Sequence, residues 1–252
     1  MRRVLLLLLV GAIGGFLSGT FGVGGGIIMV PLLVWLIGLD QRHAAATSLV
    51  AIVPSAIAGA IQYAVAGHLD VLAGLLIAAG GIAGSLVGTR LLKQLPLGWL
   101  RWLFIALLLV TAVRLFFEVP VRGEGFDISP GAVAGLVVLG LVMGVASGLF
   151  GIGGGVIAVP VLIALFGAGD LLAKGTSLLA MIPTALTGSV ANTRNGLVRP
   201  RDGIIAGVAA TAASFGGVAV AFLMTPQLAS ILFAVLLVVA ITQMVIRAIR
   251  DR

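Results

Sequence analysis

Long runs with few or no charged residues, separated by short polar clusters, make up most of the chain. Nearly every run reaches the roughly 20 apolar residues that an α-helix needs to cross a bilayer. The runs lack the strict alternation of apolar and polar residues that a membrane β-barrel requires. We therefore predict an all-α integral membrane protein. The runs are residues 4–39, 44–67, 71–89, 97–117, 128–169, 175–193 and 203–246.

Three of these runs are too long for one straight crossing. Residues 203–246 divide at Thr225–Gln227, where a proline ends one helix and allows another to begin. Residues 4–39 and 128–169 each contain a glycine-rich break instead. The arm that follows each break is only about 20 Å long at 1.5 Å per residue. We therefore predict that each arm is a half-helix or a re-entrant segment.

The glycine-rich break occurs twice in the chain. Gly19–Pro31 reads GTFGVGGGIIMVP, and Gly148–Pro160, which begins 129 positions later, reads GLFGIGGGVIAVP. The same offset relates Thr47 and Ser48 to Thr176 and Ser177. The chain therefore contains an internal duplication.

Each copy of the duplication predicts a broken, re-entrant helix pair followed by three transmembrane helices. If each broken pair returns to its own side, every copy crosses the membrane three times, and an odd number of crossings inverts the second copy. We expect two inverted-topology repeats with eight to ten membrane segments. The predicted boundaries are residues 1–117 for the first repeat, 118–130 for a polar linker and 131–252 for the second repeat.

Composition agrees with this fold, since 61% of the residues are hydrophobic and 9% are charged, against about 45–50% and 25% in soluble domains. The net charge of +7 comes from basic residues that the predicted topology places largely on one side. By the positive-inside rule we predict that both termini are cytoplasmic, and we expect no nucleic-acid partner. The basic residues on that side are Arg2, Arg3, Arg42, Arg90, Lys93, Arg101, Arg194, Arg199, Arg201, Arg247, Arg250 and Arg252.

Glycines recur at four-residue spacing in two of the predicted helices. Gly80, Gly84 and Gly88 form one series, and Gly140 and Gly144 lead into the second break. Small residues at this spacing allow helix backbones to approach closely. We predict that these two helices pack tightly against neighbours.

The breaks are candidate anion sites, because the first amides of a helix that starts inside the membrane carry partial positive charge. A purely structural kink is the alternative. A nucleotide site is excluded, because no strand precedes the glycines and no Gly-Lys-Ser/Thr sequence follows them. The candidate residues are Gly22, Gly24, Gly25, Gly26, Gly151, Gly153, Gly154 and Gly155.

Hydroxyl, amide and guanidinium groups extend the candidate site. Thr47-Ser48 and Thr176-Ser177 are predicted to open the helices after the broken arms, where they either cap those helices or bind the anion. Asn192 and Arg194 end a helix of the second repeat. Arg194 is either an anchor at the cytoplasmic end or the cation that receives the substrate.

The carboxylates and histidines are all expected in loops or at the C-terminus, with no buried carboxylate pair or histidine cluster. The chain has no cysteine. We therefore expect no enzyme, no bound metal and no cofactor. Without a buried carboxylate, we also expect uniport, or coupling through protonation of the anion itself.

These motifs resemble the TauE/SafE sulfite exporter family. The resemblance rests on the paired breaks, the paired Thr-Ser sequences, and Asn192–Gly196 followed by Arg201-Asp202. It implies a permease of the cell inner membrane that exports small anions, such as sulfite or organosulfonates. From the motifs themselves we expect a secondary transporter whose site lies between the two breaks. The partners would be the anion and the lipid bilayer, and a homo-oligomer stays open. The alternatives are a non-transporting membrane subunit and an anion channel.

Overall fold

The computed structural model describes residues 1–117 and 130–250, and these residues form helices without strands. The helices of the first half are α1 (Arg2–Phe21), α2 (Gly26–Leu32), a π-helical continuation (Leu33–Ile37), α3 (Gln41–Val65), α4 (Val71–Gln94) and α5 (Leu97–Phe117). Those of the second half are α6 (Pro130–Phe150), α7 (Gly155–Phe166), α8 (Asp170–Arg194), α9 (Pro200–Leu223) and α10 (Pro226–Arg250).

Seven of the described helices are long and apolar enough to cross a membrane: α1, α3, α4, α6, α8, α9 and α10. The short helices α2 and α7 follow the glycine breaks, as the run lengths predict. The all-α membrane fold, with a broken pair and three further helices in each half, is therefore confirmed. The linker predicted at 118–130 lies, except for Pro130, outside the described residues, and the repeat boundaries remain predictions.

The helix α1 packs along α9 through glycines at four-residue spacing. A Cβ atom on each of these glycines would collide with a carbonyl oxygen of α9: Gly11 with Ala206, Gly15 with Ala210, and Gly19 with Ser214. Residue numbers rise together along both helices, so α1 and α9 run parallel at a backbone-to-backbone distance that only glycine permits.

The helix α6 packs along α4 in the same way. Here the collisions would be Gly140 with Ile77, Gly144 with Gly81, and Gly148 with Ser85. Each partner lies 129 positions from its counterpart in the α1–α9 pair, with the two halves exchanged. A two-fold relationship therefore links the repeats, and the close packing predicted from the glycine series is confirmed.

The repeats are inverted, because α3 and α8 run antiparallel at their contact. A Cβ atom on Gly59 would lie 2.9 Å from Leu178, and one on Gly188 would lie 2.9 Å from Leu49. Parallel contacts then join α9 to α3 and α4 to α8; for example, Gly207 packs against Pro54. It follows that α1 and its counterpart α6 point in opposite directions, as the odd number of crossings predicts.

The first broken pair returns to the face on which it starts. Arg3, near the start of α1, lines one cavity together with Gly38 and Asp40, which follow the π-helical segment. Arg42 donates a hydrogen bond of 2.7 Å to the Leu95 carbonyl on the same face. We call this the basic face. The re-entrant topology is confirmed for this pair.

The opposite face carries the loop between α3 and α4 and the start of α8. The amide of Asp70 donates a hydrogen bond of 3.0 Å to Thr176 Oγ1. A Cβ atom on Gly175 would collide with the His68 carbonyl oxygen. These contacts place the beginning of α8 on the face opposite the basic face. The same helix ends at the basic face.

Candidate anion site at the crossed helix breaks

Each break reverses the chain within four residues by using left-handed backbone. Gly22 has φ 68°, and its amide donates a hydrogen bond of 2.9 Å to the Ser18 carbonyl, which ends α1. Gly24 and Gly25 follow with φ 80° and 67°. The second break repeats the pattern at Gly151, Gly153 and Gly154, with φ 72°, 77° and 91°. Only glycine adopts these angles without strain, which explains the shared residues.

The two breaks contact each other at the point where they cross, and we call this contact the crossing. A Cβ atom on Gly26 would collide with the Gly151 carbonyl oxygen, and Gly155 packs against the Gly22 carbonyl in the corresponding way. Gly24 and Gly153 both pack against the methyl end of Met181. Because the inverted repeats are related by a two-fold axis, the crossing lies midway between the two faces. The prediction that the two breaks lie next to each other is confirmed.

Two serines fasten this crossing. Ser48 Oγ donates a hydrogen bond of 2.6 Å to the Gly151 carbonyl, and Ser177 Oγ donates one of 3.0 Å to the Gly22 carbonyl. Both serines are fully buried. Each serine therefore follows its own break in sequence but binds the break of the other repeat.

The capping interpretation of the Thr-Ser pairs is wrong. The helices begin earlier, at Gln41 and Asp170, so Thr47 and Thr176 lie in the second turn rather than at the helix start. Asp40 caps α3 instead, since its carboxylate accepts a hydrogen bond of 2.9 Å from the His43 amide.

The first backbone amides of α7 have no carbonyl group within the helix to which they can donate a hydrogen bond. The first helical hydrogen bonds run from the Ile157 and Ala158 amides to the Gly154 carbonyl, at 3.0 and 3.1 Å. The amides of Gly155 and Val156 precede these bonds and have no intrahelical partner. The start of α2 is built alike, with bonds from Ile28 and Met29 to Gly25 at 3.1 and 2.9 Å. Amides in this state favour an anion.

Asn192 is fully buried, and within the described residues its side-chain amide has no hydrogen-bond partner. The residue 129 positions earlier is Tyr63, whose hydroxyl donates a hydrogen bond of 2.9 Å to the Gly19 carbonyl. Leaving a buried amide unpaired costs about 1–3 kcal/mol. Asn192 is therefore a polar group that stability alone does not account for.

Arg194 lies exposed in the last turn of α8. The glycines, serines and Met181 of the crossing are buried, so the structure does not bring the Arg194 side chain into this buried region. Its assignment to the anion site stays a prediction, and its position matches the alternative of an anchor at the helix end.

A cavity of about 400 Å³ opens on the basic face, and we call it the vestibule. Its wall includes Thr47, one residue before the serine that holds the crossing. Although partial burial raises the pKa of Asp40, the hydrogen bonds that it accepts from His43 hold that pKa below its usual value. The lining residues are Arg3, Gly38, Leu39, Asp40, His43, Thr47, Gly196, Leu197, Val198, Arg199 and Asp202.

The expectation that the carboxylates lie in loops is wrong for two aspartates. Asp202 belongs to α9, is 8% exposed and forms an ion pair with Arg3. Asp170 is the first residue of α8, and its carboxylate lies 2.8 Å from the ammonium of Lys174. These two side chains are only 7% and 3% exposed. The argument for uniport loses its premise, because a buried carboxylate is present.

One sequence signal could have revealed this ion pair. An aspartate and a lysine four residues apart at the start of an apolar run place opposite charges on one helix face. The first repeat has Gln41 and Ala45 at the equivalent positions, and this asymmetry marks the pair as a feature of the second repeat.

Comparison with known proteins gives a consistent result. A family model described as "Sulfite exporter TauE/SafE" matches residues 1–115 and 136–252. The chain is 27% identical over 217 residues to the probable membrane transporter protein YunE of Bacillus subtilis, covering 77% of this chain and 79% of that protein. It is 33% identical over 198 residues to a probable membrane transporter protein of Xylella fastidiosa, covering 75% and 73%.

Proposed function

Because the chain belongs to the TauE/SafE sulfite exporter family, we propose that it exports small sulfur oxyanions, such as sulfite or organosulfonates, by alternating access. Two of its relatives are named probable membrane transporter proteins, which supports transport but leaves substrate and direction to this proposal. We propose no catalytic role.

The crossing of the two breaks is the observation that carries the proposal. Transporters built from inverted repeats bind substrate near the midplane, where discontinuous helices direct their amides at anionic groups. Here Gly26 and Gly155 each begin a short helix and each contact the opposite break. The proposed site uses the amides of both breaks. We propose as further polar groups Thr47, which precedes Ser48, and Asn192, whose side-chain amide has no partner within the described residues.

The serine bonds give alternating access a physical basis. The bond from Ser48 joins the crossing to α3, whose first turns line the vestibule on the basic face. The bond from Ser177 joins it to α8, close to the opposite face. In the proposed cycle one bond opens while the other holds, so the anion reaches the breaks from one face at a time.

The basic face is the cytoplasmic face in this proposal. Arg3, Arg42 and Arg199 lie there, and an excess of arginine marks the cytoplasmic side of bacterial inner membrane proteins. The vestibule is then the entry for a cytoplasmic anion, and its arginines attract negative charge at low ionic strength.

Efflux from proteoliposomes tests the proposal. The purified protein is reconstituted with internal sulfite, thiosulfate or sulfoacetate, and initial efflux rates are measured against internal concentration. A transporter saturates, because each cycle carries a bound anion. If the efflux rate rises linearly with internal concentration and does not saturate, the protein is a channel. If the rate equals that of protein-free liposomes, the protein is a non-transporting subunit.

A further inference from the structure

The buried pair Asp170–Lys174 lies beside the first break, on the side away from the vestibule. We infer that the ammonium of Lys174 binds the transported oxyanion. When no anion is bound, the carboxylate of Asp170 forms an ion pair with this ammonium. This inference rests on the proposed function, because it assigns a cation to the same transport path.

Lys174 lies directly against the break. A Cβ atom on Gly22 would lie 2.6 Å from both Cα and Cβ of Lys174. Ser177, three residues further along α8 and therefore on the same helix face, donates its hydrogen bond to the Gly22 carbonyl. The ammonium-bearing side chain and the serine bond thus belong to one contact between α8 and the first break.

A small cavity of about 40 Å³ borders the ion pair, which is enough room for water. The break contributes Val23, and α7 contributes Pro160. From α10 come the buried residue Ser230 and Phe233, whose ring stacks on Phe21 at 4.8 Å. The cavity therefore lies between the break, the half-helix that follows the other break, and α10. In the proposed cycle, a movement of α7 away from α10 would enlarge this cavity.

The ammonium of Lys174 has more N–H donors than its ion pair with Asp170 uses. A lysine ammonium carries three N–H donors, and within the described part of the chain Lys174 donates one of them, to Asp170. An oxyanion has several acceptor oxygens and can replace the carboxylate while using further donors. The chemical class that fits is a small oxyanion such as sulfite or a sulfonate.

The fold does not need this ion pair. At the equivalent position of the first repeat, Ala45 packs against Gly151 as Lys174 packs against Gly22. The serine bonds also correspond. The same packing is thus achieved once with neutral residues and once with buried charges. Burying two charges carries a desolvation cost that their attraction barely offsets, and charged residues inside membrane proteins mark transport paths.

The decisive variant makes the second repeat match the first. The double substitution Asp170→Gln with Lys174→Ala recreates the neutral pair Gln41 and Ala45, which the same fold already accommodates. We expect this variant to fold with a melting temperature close to that of the parent protein. We expect its half-saturating sulfite concentration for efflux to rise at least about tenfold, because a charged hydrogen bond to the anion is lost.

A control removes a single lysine elsewhere; the double variant itself keeps the net charge, because it loses one negative and one positive charge. Lys93 is exposed in the last turn of α4, so Lys93→Met changes the net charge without touching the cavity. We expect its half-saturating concentration to equal that of the parent. Unchanged saturation in the double variant as well would overturn the inference and leave the ion pair a packing feature.

A second measurement uses Asp170→Asn, which leaves the ammonium without its carboxylate. We expect 10 mM sulfite (on the order of a saturating concentration for a typical site) to raise the melting temperature of this variant more than that of the parent, because the anion replaces the lost charge. Sodium gluconate at equal ionic strength is the control. Equal shifts in variant and parent would count against an anion at Lys174.

The two proposals fail differently. If the parent protein transports none of sulfite, thiosulfate and sulfoacetate, the proposed function is wrong and the assignment of Lys174 is overturned with it. If the parent transports one of them and the double variant transports it with the same half-saturation, only the assignment of Lys174 is wrong.

Discussion

Ser48 donates a hydrogen bond of 2.6 Å to the carbonyl oxygen of Gly151, which lies 103 positions later in the chain. The equivalent bond joins Ser177 to Gly22 across 155 positions. The two repeats therefore hold each other at their breaks, and each hydroxyl satisfies a carbonyl that the end of a helix would leave unpaired.

Removing one serine hydroxyl is expected to loosen the crossing. Ser48→Ala leaves a buried carbonyl without its partner, at a cost of about 1–3 kcal/mol, and should lower the melting temperature of the detergent-purified protein. Ser55→Ala is the matched control, because Ser55 is equally buried in α3 but donates within its own helix, to Ile52 at 3.0 Å. Equal melting temperatures for the two variants would contradict the role of Ser48.

The two-fold relationship predicts equal effects for equivalent glycines. Gly11→Ala and Gly140→Ala each force a methyl group against a backbone carbonyl of the other repeat, and overpacking of this kind typically costs about 1–3 kcal/mol. Both should lower the melting temperature by similar amounts. Gly98→Ala serves as the control, since a Cβ atom there meets nothing within 4 Å and alanine favours the helix. If Gly11→Ala and Gly140→Ala melted at the same temperature as Gly98→Ala, the described packing would be contradicted.

The unpaired amide of Asn192 allows stability and function to be separated. Asn192→Leu removes a buried polar group that lacks a partner in the described structure, so the melting temperature should stay the same or rise. Sulfite efflux should fall, because the amide is proposed to serve the anion. Full transport by a stable Asn192→Leu protein would show that the amide has no part in the path.

The sidedness of the vestibule can be tested by labelling, because the chain has no cysteine. His43→Cys introduces a single thiol at an exposed position of the vestibule wall. A membrane-impermeant maleimide should label it in inverted membrane vesicles, where the cytoplasmic face is outside, and not in intact spheroplasts. The reverse pattern would show that the basic face is external.

Much of this fold was predictable from the sequence, because its signals are local or repeated. Run lengths and the doubled motif predicted the re-entrant arms, and the glycine spacing predicted that α4 and α6 pack closely against neighbouring helices, without showing that they pack against each other. The inversion followed from counting crossings, which depends on the bilayer rather than on any particular side-chain contact.

The two errors have different causes. Asp170 and Lys174 follow a loop in the sequence, and the aromatic residues that share their cavity, Phe21 and Phe233, are far away along the chain. Long-range packing therefore decides the burial of this pair, and one sequence does not contain that information. The start of α3 is decided locally, by the Asp40 cap that precedes Thr47 by two turns.

The same contacts limit which variants can test the site. A Cβ atom on Gly25 would collide with the Gly14 carbonyl, and one on Gly154 with Met143. Large side chains at these glycines would disrupt folding, so lost transport in such variants would say little about the anion. Substitutions of Asn192 and of the pair Asp170–Lys174 are expected to leave the fold intact, so they test the site without that ambiguity.

Exchange across proteoliposomes tests the central claim of alternating access most directly. Vesicles loaded with ³⁵S-labelled sulfite are diluted into buffer with or without saturating unlabelled sulfite, and initial loss of label is measured. If an anion-loaded carrier reorients faster than an empty one, external sulfite should accelerate the loss of label severalfold. A rate that does not change with external sulfite, together with efflux that does not saturate, would contradict the account and indicate an open pore.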